Sequence, residues 1–436
     1  MSFSKNKKYW FLLGNNPELS AAEIGAVLNL EKIEQKDFAP PFLVVEKNEV
    51  SSFPLHACPP LAEGEIKRGW ENQLINRLGG TIKIAVELEK NLNQKEMIET
   101  IVNDLKNQTG KIHFGLSDYS PKNNENLYRL KKIGLESKKT LKQLGLSVRF
   151  AYNNEQTLSS VSVDKNDLIK KGGEYIYIWK NSGFSLAKTT AVQPFEDFGT
   201  RDFGRPGRDS LSGMLPPKLA LIMLNLAKFT PSDTLLDPFC GSGTILTEAL
   251  LLEAKNVIGT DNSERAIKDT QENIKWLLDQ NNIQPAFVPE GLRTDKYPIS
   301  NIEKNVFVSP VENLSEHLKK NSVDKIVTEP YLGKPLKGNE ARGILINQAS
   351  DLKELYLRAF SEFAKILKPG GVVIFIIPCF KQTGEWIRIN MENELEKIGF
   401  KSELLITIGD KKYSSLLYSR ADQHVGRDIW KFKLEK

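Results

Sequence analysis

The sequence predicts an α/β protein in two parts: a second half with a mostly parallel sheet, and a first half of α+β character. Strand-like apolar runs and helical patterns alternate strictly between residues 234 and 377, and this alternation is typical of βαβ units in a parallel sheet. A segment dense in Gly, Pro, Arg and Asp, residues 200–217, separates the two patterns. With 436 residues, the chain is also too long for one ordinary domain. We therefore divide it into residues 1–75, 76–195, a linker 196–217, and 218–436.

The second half begins with a predicted helix. Apolar residues from Leu219 to Leu226 recur at helical spacing, and Pro216-Pro217 before them favour a helix start. The next predicted elements are strand 234–237, helix 243–253, strand 256–260, helix 263–279, strand 305–308, helix 312–320, strand 323–328, helix 350–367 and strand 371–377. Residues 402–408 and 416–419 are predicted to close the sheet with antiparallel strands.

The first half is less regular. Its patterns predict strands at 9–14 and 80–88, a helix at 20–28, and alternating strands and helices from Ile112 to Val192. Basic residues are concentrated between positions 122 and 149. This run predicts either a solvated helix face or a face that binds phosphates. The candidate RNA-binding residues here are Lys131, Lys132, Lys138, Lys139, Lys142 and Arg149.

The composition narrows the class of protein. Sixty Lys and Arg residues against 55 Asp and Glu give a net charge of +5, which is a mild preference for polyanionic partners. The three cysteines, Cys58, Cys240 and Cys379, are widely separated. That spacing argues against a disulfide scaffold and against a zinc site, so we expect no metal. The apolar run at residues 10–13 is far too short for a membrane span, and we expect a cytoplasmic protein.

The most informative segment is a glycine turn at the end of a predicted strand, Asp237-Pro238-Phe239-Cys240-Gly241-Ser242-Gly243. Glycines at such a turn let backbone N–H groups approach a ligand closely. The next predicted strand ends at Asp261, eighteen residues after Gly243, where a carboxylate can accept bonds from ribose hydroxyls. The turn lacks the third glycine of a dinucleotide site and the G-K-S/T ending of a P-loop. The predicted cofactor is therefore S-adenosylmethionine, which carries a ribose and a carboxylate but no phosphate.

A second motif, Thr328-Glu329-Pro330-Tyr331, follows the predicted strand 323–328. It resembles the signature of amino-methyltransferases, Asp or Asn, Pro, Pro and an aromatic residue. A side-chain oxygen and a backbone carbonyl there can accept both protons of a base amine, and an aromatic face can stack on the base. A gap-free comparison puts Glu329 at the acid position; keeping Pro-Tyr in phase puts Thr328 there. We prefer the first, since it keeps a carboxylate, although a strand end facing solvent also explains the motif.

The similarity extends over most of the chain. The chain resembles the THUMP-domain tRNA (guanine-N2-)-methyltransferases, the class acting on guanosine 10 of tRNA, within the Rossmann-like amino-methyltransferase superfamily. The most specific segment is R-D-F-G-R-P-G-R-D-S-L-S-G-M-L-P-P-K, followed by D-P-F-C-G-S-G-T. The matching segments are residues 9–19, 77–84, 145–150, 158–165, 188–193 and 201–218. The resemblance implies a THUMP RNA-binding domain at 76–195, a Rossmann-like domain that binds S-adenosylmethionine, and tRNA as substrate.

The resemblance also implies roles for single residues. The predicted catalytic residues are Glu329, Pro330, Tyr331 and Thr328. The predicted cofactor-binding residues are Asp237, Pro238, Phe239, Gly241, Gly243, Asp261, Asn262, Leu215 and Pro216, with Ser309 or Glu312 in place of the family's adenine-binding Asp. Arg201, Arg205 and Arg208 are expected either to bind phosphates or to pair with Asp202 and Asp209, and Lys334 to belong to a lid over the substrate.

Three alternatives remain open from sequence. The chain could be a THUMP-type tRNA-binding pseudoenzyme, or an amino-methyltransferase for another RNA target, adenine N6 or guanine N2 at another tRNA position. The third alternative, a DNA amino-methyltransferase, is disfavoured by the THUMP-like first half. A small activating protein partner is possible on the family's pattern, and a monomer is expected. Cys240 and Cys379 are expected to fill the core.

Overall fold

A computed structural model gives the fold. The structure describes residues 7–50, 70–123, 125–180, 183–208, 214–279, 304–420 and 423–435. Cys58 and Asp209 lie outside the described residues, as does much of the predicted linker after Arg208.

The first half combines a sheet with helices. Its strands are β1 (Lys8–Leu13), β2 (Lys32–Ile33), β3 (Phe38–Ala39), β4 (Phe42–Glu46), β5 (Thr81–Leu92), β6 (Ile112–Asp118), β7 (Val148–Ala151), β8 (Gly172–Lys180) and β9 (Gly183–Val192). Its helices are α1 (Pro17–Leu28), α2 (Lys47–Val50), α3 (Trp70–Arg77), α4 (Gln94–Leu105), α5 (Asn126–Gln143), α6 (Ser160–Lys165) and α7 (Leu168–Lys171). The α+β character predicted for this half is confirmed.

One eight-stranded sheet runs through the whole first half, in the order β3-β4-β1-β5-β9-β8-β6-β7. The strand β1 pairs antiparallel with β4 on one side and with β5 on the other. The predicted boundary between residues 75 and 76 therefore crosses a continuous sheet rather than separating two. Near that position helix α3 ends and strand β5 begins. The backbone hydrogen bonds of β1 to β4 and to β5 nevertheless join the residues before the boundary to those after it.

The connecting segment and the second half contribute the remaining elements. The helices are α8 (Phe195–Gly199), α9 (Pro217–Leu226), α10 (Thr244–Leu251), α11 (Glu264–Leu278), α12 (Leu314–His317), α13 (Arg342–Ile366) and α14 (Glu392–Ile398). The strands are β10 (Thr234–Asp237), β11 (Asn256–Asp261), β12 (Val306–Val308), β13 (Val323–Thr328), β14 (Leu367–Gln382), β15 (Glu385–Arg388), β16 (Phe400–Ser402), β17 (Ile406–Ile408), β18 (Lys411–Tyr413), β19 (Ser415–Tyr418) and β20 (Val425–Leu434). None of the helices in the described parts of the chain has the length and apolarity needed to cross a membrane.

The second sheet is mostly parallel, as the sequence predicts. Its order is β12-β11-β10-β13-β14-β20-β16, and the strands from β12 to β14 pair in parallel. The helices α10, α11 and α13 connect these strands, as expected for βαβ units. The predicted helix 312–320 is shorter, with a turn of 3-10 helix at Val311–Asn313 before α12.

The antiparallel end of the sheet differs from the prediction. The central antiparallel strand is β20, which pairs with β14 over nine residue pairs from Val372↔Lys433 to Phe380↔Val425 and which the sequence patterns did not predict. The strands β16 and β19 both pair with β20. Residues 402–408 do not form one closing strand, because β17 pairs with β18 and β2 in a separate small sheet.

The two halves share a core. Helix α1 packs on α9, and buried apolar residues of both helices, with Leu19 and Ile222 among them, belong to one hydrophobic cluster. Within this interface the carboxylate of Glu23 is fully buried. Its Oε1 accepts hydrogen bonds from Gly79 N–H and Asn225 Nδ2, each at 2.8 Å, and its Oε2 accepts one from Gly80 N–H at 2.8 Å. The first half is therefore fixed to the second by packing and by buried hydrogen bonds.

Burial gives this interface a pH dependence. Desolvation raises the pKa of the Glu23 carboxyl group to about 7, although its hydrogen bonds act in the opposite direction. Because the folded-state pKa lies above the ordinary value, the contribution of Glu23 to stability is fully present at low pH and is lost as the pH rises through about 7.

We expect Glu23→Gln to destabilise the protein more at pH 5 than at pH 8. At pH 5 the amide N–H of Gln faces a backbone donor and leaves it unpaired, at a cost of about 1–2 kcal/mol. The wild-type protein loses stability between pH 5 and pH 8 because Glu23 ionises, whereas the amide of the variant does not ionise. The difference in the free energy of unfolding between the two proteins is therefore smaller at pH 8. Urea unfolding at both pH values measures this, with the exposed Glu31→Gln as control. An equal difference at both pH values contradicts the interpretation.

Candidate functional site

A cavity of about 580 Å³ opens at the carboxyl edge of the parallel strands in the second sheet. Asp237 and Asp261 are the last residues of β10 and β11, and Glu329 directly follows β13. All three carboxylates line the cavity. Parallel strands end at the same edge of a sheet, so residues far apart in sequence meet at this edge.

The glycine turn forms one wall of this cavity. Gly241 has φ +51° and Gly243 has φ +79°, which are left-handed conformations that favour glycine. Gly241 N–H donates to Asp261 Oδ2 at 3.1 Å, and Gly243 N–H donates to the Cys240 carbonyl at 2.7 Å. A Cβ added to Gly241 would have no heavy atom within 4 Å, whereas one added to Gly243 would lie 2.8 Å from Thr270 Cγ2. Gly241 therefore leaves open space beside the turn, while Gly243 packs against α11 and does not line the cavity.

Asp237 is the most buried carboxylate of the site. Its Oδ1 accepts a hydrogen bond from Thr328 Oγ1 at 2.6 Å and one from Phe239 N–H at 3.3 Å. Burial raises the pKa of Asp237, the two hydrogen bonds lower it, and the nearby Asp261 and Glu329 carboxylates raise it, so that the net pKa is about 7. Thr328 is fully buried and does not line the cavity. The prediction that Thr328 is catalytic is therefore wrong, because its hydroxyl is used to orient Asp237.

The charge of the cavity wall is predominantly negative. The acidic residues that line it are Asp237, Asp261, Asp269, Glu312 and Glu329. Among the described lining residues the basic side chain is Arg265, whose Nε lies 3.8 Å from Asp269. Apolar surface comes from Phe239, Leu215 and Val311. Such a wall suits a ligand with positive charge, a ribose and apolar parts, and it disfavours a polyphosphate.

Most of the predicted cofactor residues meet at this cavity. Those lining it are Asp237, Pro238, Phe239, Gly241, Asp261, Asn262, Glu312 and Leu215. Pro216 does not, because it precedes α9 and its carbonyl accepts the N–H of Ala220 at 3.0 Å. Ser309 does not either, because it is buried and its Oγ donates to the Pro310 carbonyl at 3.0 Å. Of the two candidates for the adenine contact, Glu312 is thus the one in the cavity, where it also accepts from Arg358 Nε at 3.2 Å.

The predicted catalytic segment lies at the mouth of the same cavity. Glu329, Pro330 and Tyr331 all line it, and Tyr331 is 55% exposed. The Tyr331 carbonyl accepts a hydrogen bond from Tyr356 Oη at 2.7 Å, which anchors the backbone while the ring stays accessible. A partly exposed aromatic ring beside a carboxylate is suited to holding a flat polar base.

One residue that contacts this segment, Arg427, was not identified from the sequence. Arg427 Nε donates to Glu329 Oε1 at 2.5 Å, with both side chains largely buried. Burial alone would lower the pKa of Arg427, but the Glu329 carboxylate outweighs this and raises it. Arg427 stands 98 residues after Glu329, on the strand β20 that was not predicted. No local pattern in the sequence connects the two residues.

The arginines of the connecting segment are not exposed. Arg201 is 8% exposed and donates through Nε to Glu248 Oε1 at 2.7 Å. Arg205 is 4% exposed and donates through Nη1 to Thr244 Oγ1. Both guanidinium groups are therefore engaged inside the protein rather than presented to a phosphate, and Glu248 is the ion-pair partner that the described residues provide for Arg201. The third arginine, Arg208, is exposed.

The predicted basic face of the first half is accessible. Lys131, Lys132, Lys139, Lys142 and Arg149 are exposed, and Lys138 is half-buried. Most of them lie on α5, beside the exposed Tyr128. Lys334, in the loop after the catalytic segment, is also exposed. These exposed positions are accessible to the phosphates of a nucleic acid.

The two described cysteines are buried and free. Burial raises the pKa of Cys240 far above its ordinary value, and burial together with Asp428 raises that of Cys379 to about 12. Neither thiol is therefore prepared to act as a nucleophile. Among the described residues there is no group of three or more His, Cys, Asp or Glu side chains able to hold a metal ion.

Two family models match the chain. Residues 205–399 match the UPF0020 family, described as an RMKL-like methyltransferase domain. Residues 79–272 match the N6_N4_Mtase family, described as a DNA methylase; this match includes the glycine turn but not Glu329. The second half therefore combines a mostly parallel α/β sheet with a sequence match to a methyltransferase domain.

The curated proteins that this chain matches include tRNA (guanine-N2-)-methyltransferases. The chain is 31% identical over 200 residues to the tRNA (guanine(10)-N2)-dimethyltransferase of Methanothermobacter thermautotrophicus, covering 45% of this chain and 48% of that protein. It is 30% identical over 154 residues to the tRNA (guanine(6)-N(2))-methyltransferase THUMP3 of Bos taurus, covering 35% and 26%. The chain thus spans about half, or less, of the length of these two relatives. Over the matched residues it is similar to tRNA (guanine-N2-)-methyltransferases, in agreement with the resemblance noted in the sequence.

Solved structures align over nearly the whole chain. TrmN from Thermus thermophilus is 13% identical, with a TM-score of 0.47, over 98% of this chain and 99% of that chain. A putative methyltransferase solved in complex with SAH gives a TM-score of 0.44 at 11% identity, over 98% of both chains.

We expect Gly243→Ala to destabilise the protein more than Gly241→Ala. Both substitutions place a Cβ at positive φ, which costs about 1 kcal/mol or more. Only the Cβ at 243 also collides with Thr270, so we expect a further loss of about 1–3 kcal/mol there. Thermal unfolding of the two variants measures the difference. Equal losses would contradict the packing described for the turn.

Proposed function

We propose that this chain transfers a methyl group from S-adenosylmethionine to the exocyclic N2 amine of a guanosine in tRNA, at position 10. The observation that carries the proposal is that Glu329, Pro330 and Tyr331 share one cavity with Asp237 and Asp261. An amine-binding segment and a cofactor-binding turn therefore face the same space. The relatives named for guanine-N2 methylation of tRNA support the choice of substrate.

The residues of the cavity fit the cofactor. Asp237 and the backbone near Gly241 would hold the methionine part, Asp261 the ribose hydroxyls, and Asn262 the adenine. The open space beside Gly241 accommodates a ligand that a side chain would exclude. When bound, S-adenosylmethionine supplies an electrophilic methyl group on a positively charged sulfur, and the carboxylate-rich wall stabilises that positive charge.

The catalytic segment would act mainly by positioning. The lone pair of an exocyclic amine is delocalised into the base, so the free amine is a weak nucleophile. Glu329 and the Pro330 carbonyl would each accept a hydrogen bond from one N–H of the amine. This favours a pyramidal nitrogen whose lone pair points at the methyl group. Tyr331 would stack on the extruded guanine. After transfer, the amine gives up one proton, and Glu329 is its nearest acceptor in this arrangement.

The substrate RNA would be held by the first half. We assign residues 76–195 as the THUMP RNA-binding domain, with the exposed lysines of α5 and Arg149 contacting phosphates. Lys334 and Arg208 would add contacts near the cavity. Because α1 and α9 fix the two halves together, the distance between this face and the cavity is set by the fold.

A second candidate substrate is the N6 amine of adenine. The match of residues 79–272 to a DNA methylase family favours it, and the chemistry of the amine is the same. The relatives also differ in target, since their names give guanine 10 and guanine 6. The identity of the amine is therefore the first point to test.

We expect purified protein to transfer a labelled methyl group from S-adenosylmethionine to an unmodified tRNA transcript, and nucleoside digestion to yield labelled N2-methylguanosine. Replacing guanosine 10 by inosine, which lacks only the N2 amine, should abolish labelling. Glu329→Gln should lower the rate about 10²–10³-fold, because it removes a charged acceptor at the amine. Cofactor affinity of this variant, measured by calorimetry, should stay close to wild type.

The outcomes separate the alternatives. Labelling that persists in the inosine transcript and appears as N6-methyladenosine supports the adenine reading instead. Binding of tRNA with no labelling of any base supports a binding protein without catalytic activity. Labelling of another guanosine keeps the reaction and changes only the position.

We expect tRNA binding to weaken steeply with salt, because each neutralised phosphate releases counterions. Replacing Lys132, Lys139 and Lys142 of α5 with Ala should reduce the slope of log affinity against log salt by about 2 to 3. The matched control replaces three exposed lysines elsewhere, Lys36, Lys95 and Lys401. Filter binding at several salt concentrations measures both. Equal slopes for the two triple variants contradict the role assigned to α5.

A further inference from the structure

We infer that Arg427 is a positioning residue for methyl transfer: it fixes the Glu329 side chain so that one carboxylate oxygen remains available to the substrate amine. The inference rests on the proposed function and adds to it a residue from the antiparallel end of the sheet. Arg427 would act through Glu329 and not on the substrate itself, since it is not among the residues that line the cavity.

The contact between the two side chains is specific. Arg427 Nε donates to Glu329 Oε1 at 2.5 Å, and the side chains are 12% and 13% exposed. Among the described residues, no hydrogen bond to Glu329 Oε2 is found. The carboxylate therefore has one oxygen held by protein and one left for a ligand. An ion pair this well shielded is screened little by salt and holds its geometry better than an exposed pair.

The backbone of Arg427 is also fixed. The residue pairs with Pro378 of β14 on one side and with Tyr418 of β19 on the other. A guanidinium group placed from the interior of a sheet has little freedom to follow a moving partner. Arg427 thus extends from a strand paired on both sides, whereas Glu329 stands at the start of the loop after β13.

The length of the Glu329 side chain makes such a restraint necessary. A glutamate has one more rotatable bond than an aspartate, so it loses more conformational entropy when it is ordered. Without a fixed partner, its carboxylate would occupy several rotamers at the mouth of the cavity. Arg427 selects one of them before the substrate arrives, and this preorganisation matters for a reaction that depends on the alignment of a lone pair.

The ion pair made by the residue next to Arg427 provides a matched control. Asp428 follows Arg427 in β20 and pairs with Arg388 of β15. Both of these residues line a different cavity, of about 400 Å³, between the N-terminal region and the C-terminal strands. Arg388→Met therefore removes an arginine from a similar ion pair in the same part of the sheet, away from Glu329.

The test is a double-mutant cycle on the rate of labelling of the tRNA transcript. We expect Arg427→Met to lower kcat about tenfold or more, with the KM for S-adenosylmethionine within about twofold of wild type. Glu329→Asp should also lower kcat, because the shorter side chain cannot both reach Arg427 and serve the amine. The kcat of the double variant should fall by much less than the product of the two single fold-losses, since both substitutions break the same contact between Arg427 and Glu329. Arg388→Met should leave kcat unchanged.

Each outcome decides a separate claim. A kcat within about twofold of wild type for Arg427→Met, or losses that multiply in the double variant, overturns the role of Arg427 while leaving the proposed function intact. A wild-type protein that labels no base overturns the proposed function, and this inference with it. If Arg427→Met does not fold, Arg427→Lys serves in its place: it keeps the charge but loses the planar donor, and we expect partial activity with an unchanged melting temperature. Full activity of Arg427→Lys overturns the requirement for a fixed guanidinium donor.

Discussion

The parallel pairing of β10 with the strands on either side is the constraint on which the candidate site depends. Asp237 pairs with Gly259 of β11, and Leu236 pairs with Ile326 of β13. This register brings the ends of three strands to one edge, where the glycine turn and residues 329–331 line one cavity. A slip of one residue would turn every side chain of a strand to the opposite face, and the carboxylates would then no longer share a cavity.

Gathering carboxylates at one edge is unfavourable, and the structure limits the cost by giving each one a donor. Thr328 donates a hydrogen bond to Asp237, backbone N–H groups donate to Asp261, and Arg427 donates to Glu329. The pKa of Asp237 is nevertheless raised, mainly because its carboxyl group is buried and to a smaller degree because Asp261 and Glu329 lie near it. A positively charged ligand in the cavity would favour the ionised form of these carboxylates.

The sequence was informative wherever the signal was local. The glycine turn, Asp261 and the strands β10 and β13 could be located because each combines a short apolar run with a distinctive residue at its end. The strand β20 was missed because charged residues interrupt its apolar positions, and Arg427 could not be recognised without it. The partners of Arg201 and Arg205 could not be recognised from the sequence, because nothing in a polar segment indicates that Glu248 and Thr244 accept its hydrogen bonds inside the protein.

The continuity of the core across the two halves has a consequence for how the protein can be divided. The family match at residues 205–399 includes neither α1, whose Glu23 is bonded to Asn225 of α9, nor β20, which covers the edge of β14. A fragment cut at these limits would expose the apolar surface of α9 to water and leave an open strand edge. The segment that matches the family model is therefore smaller than the unit that folds, and residues 205–399 would not be stable on their own.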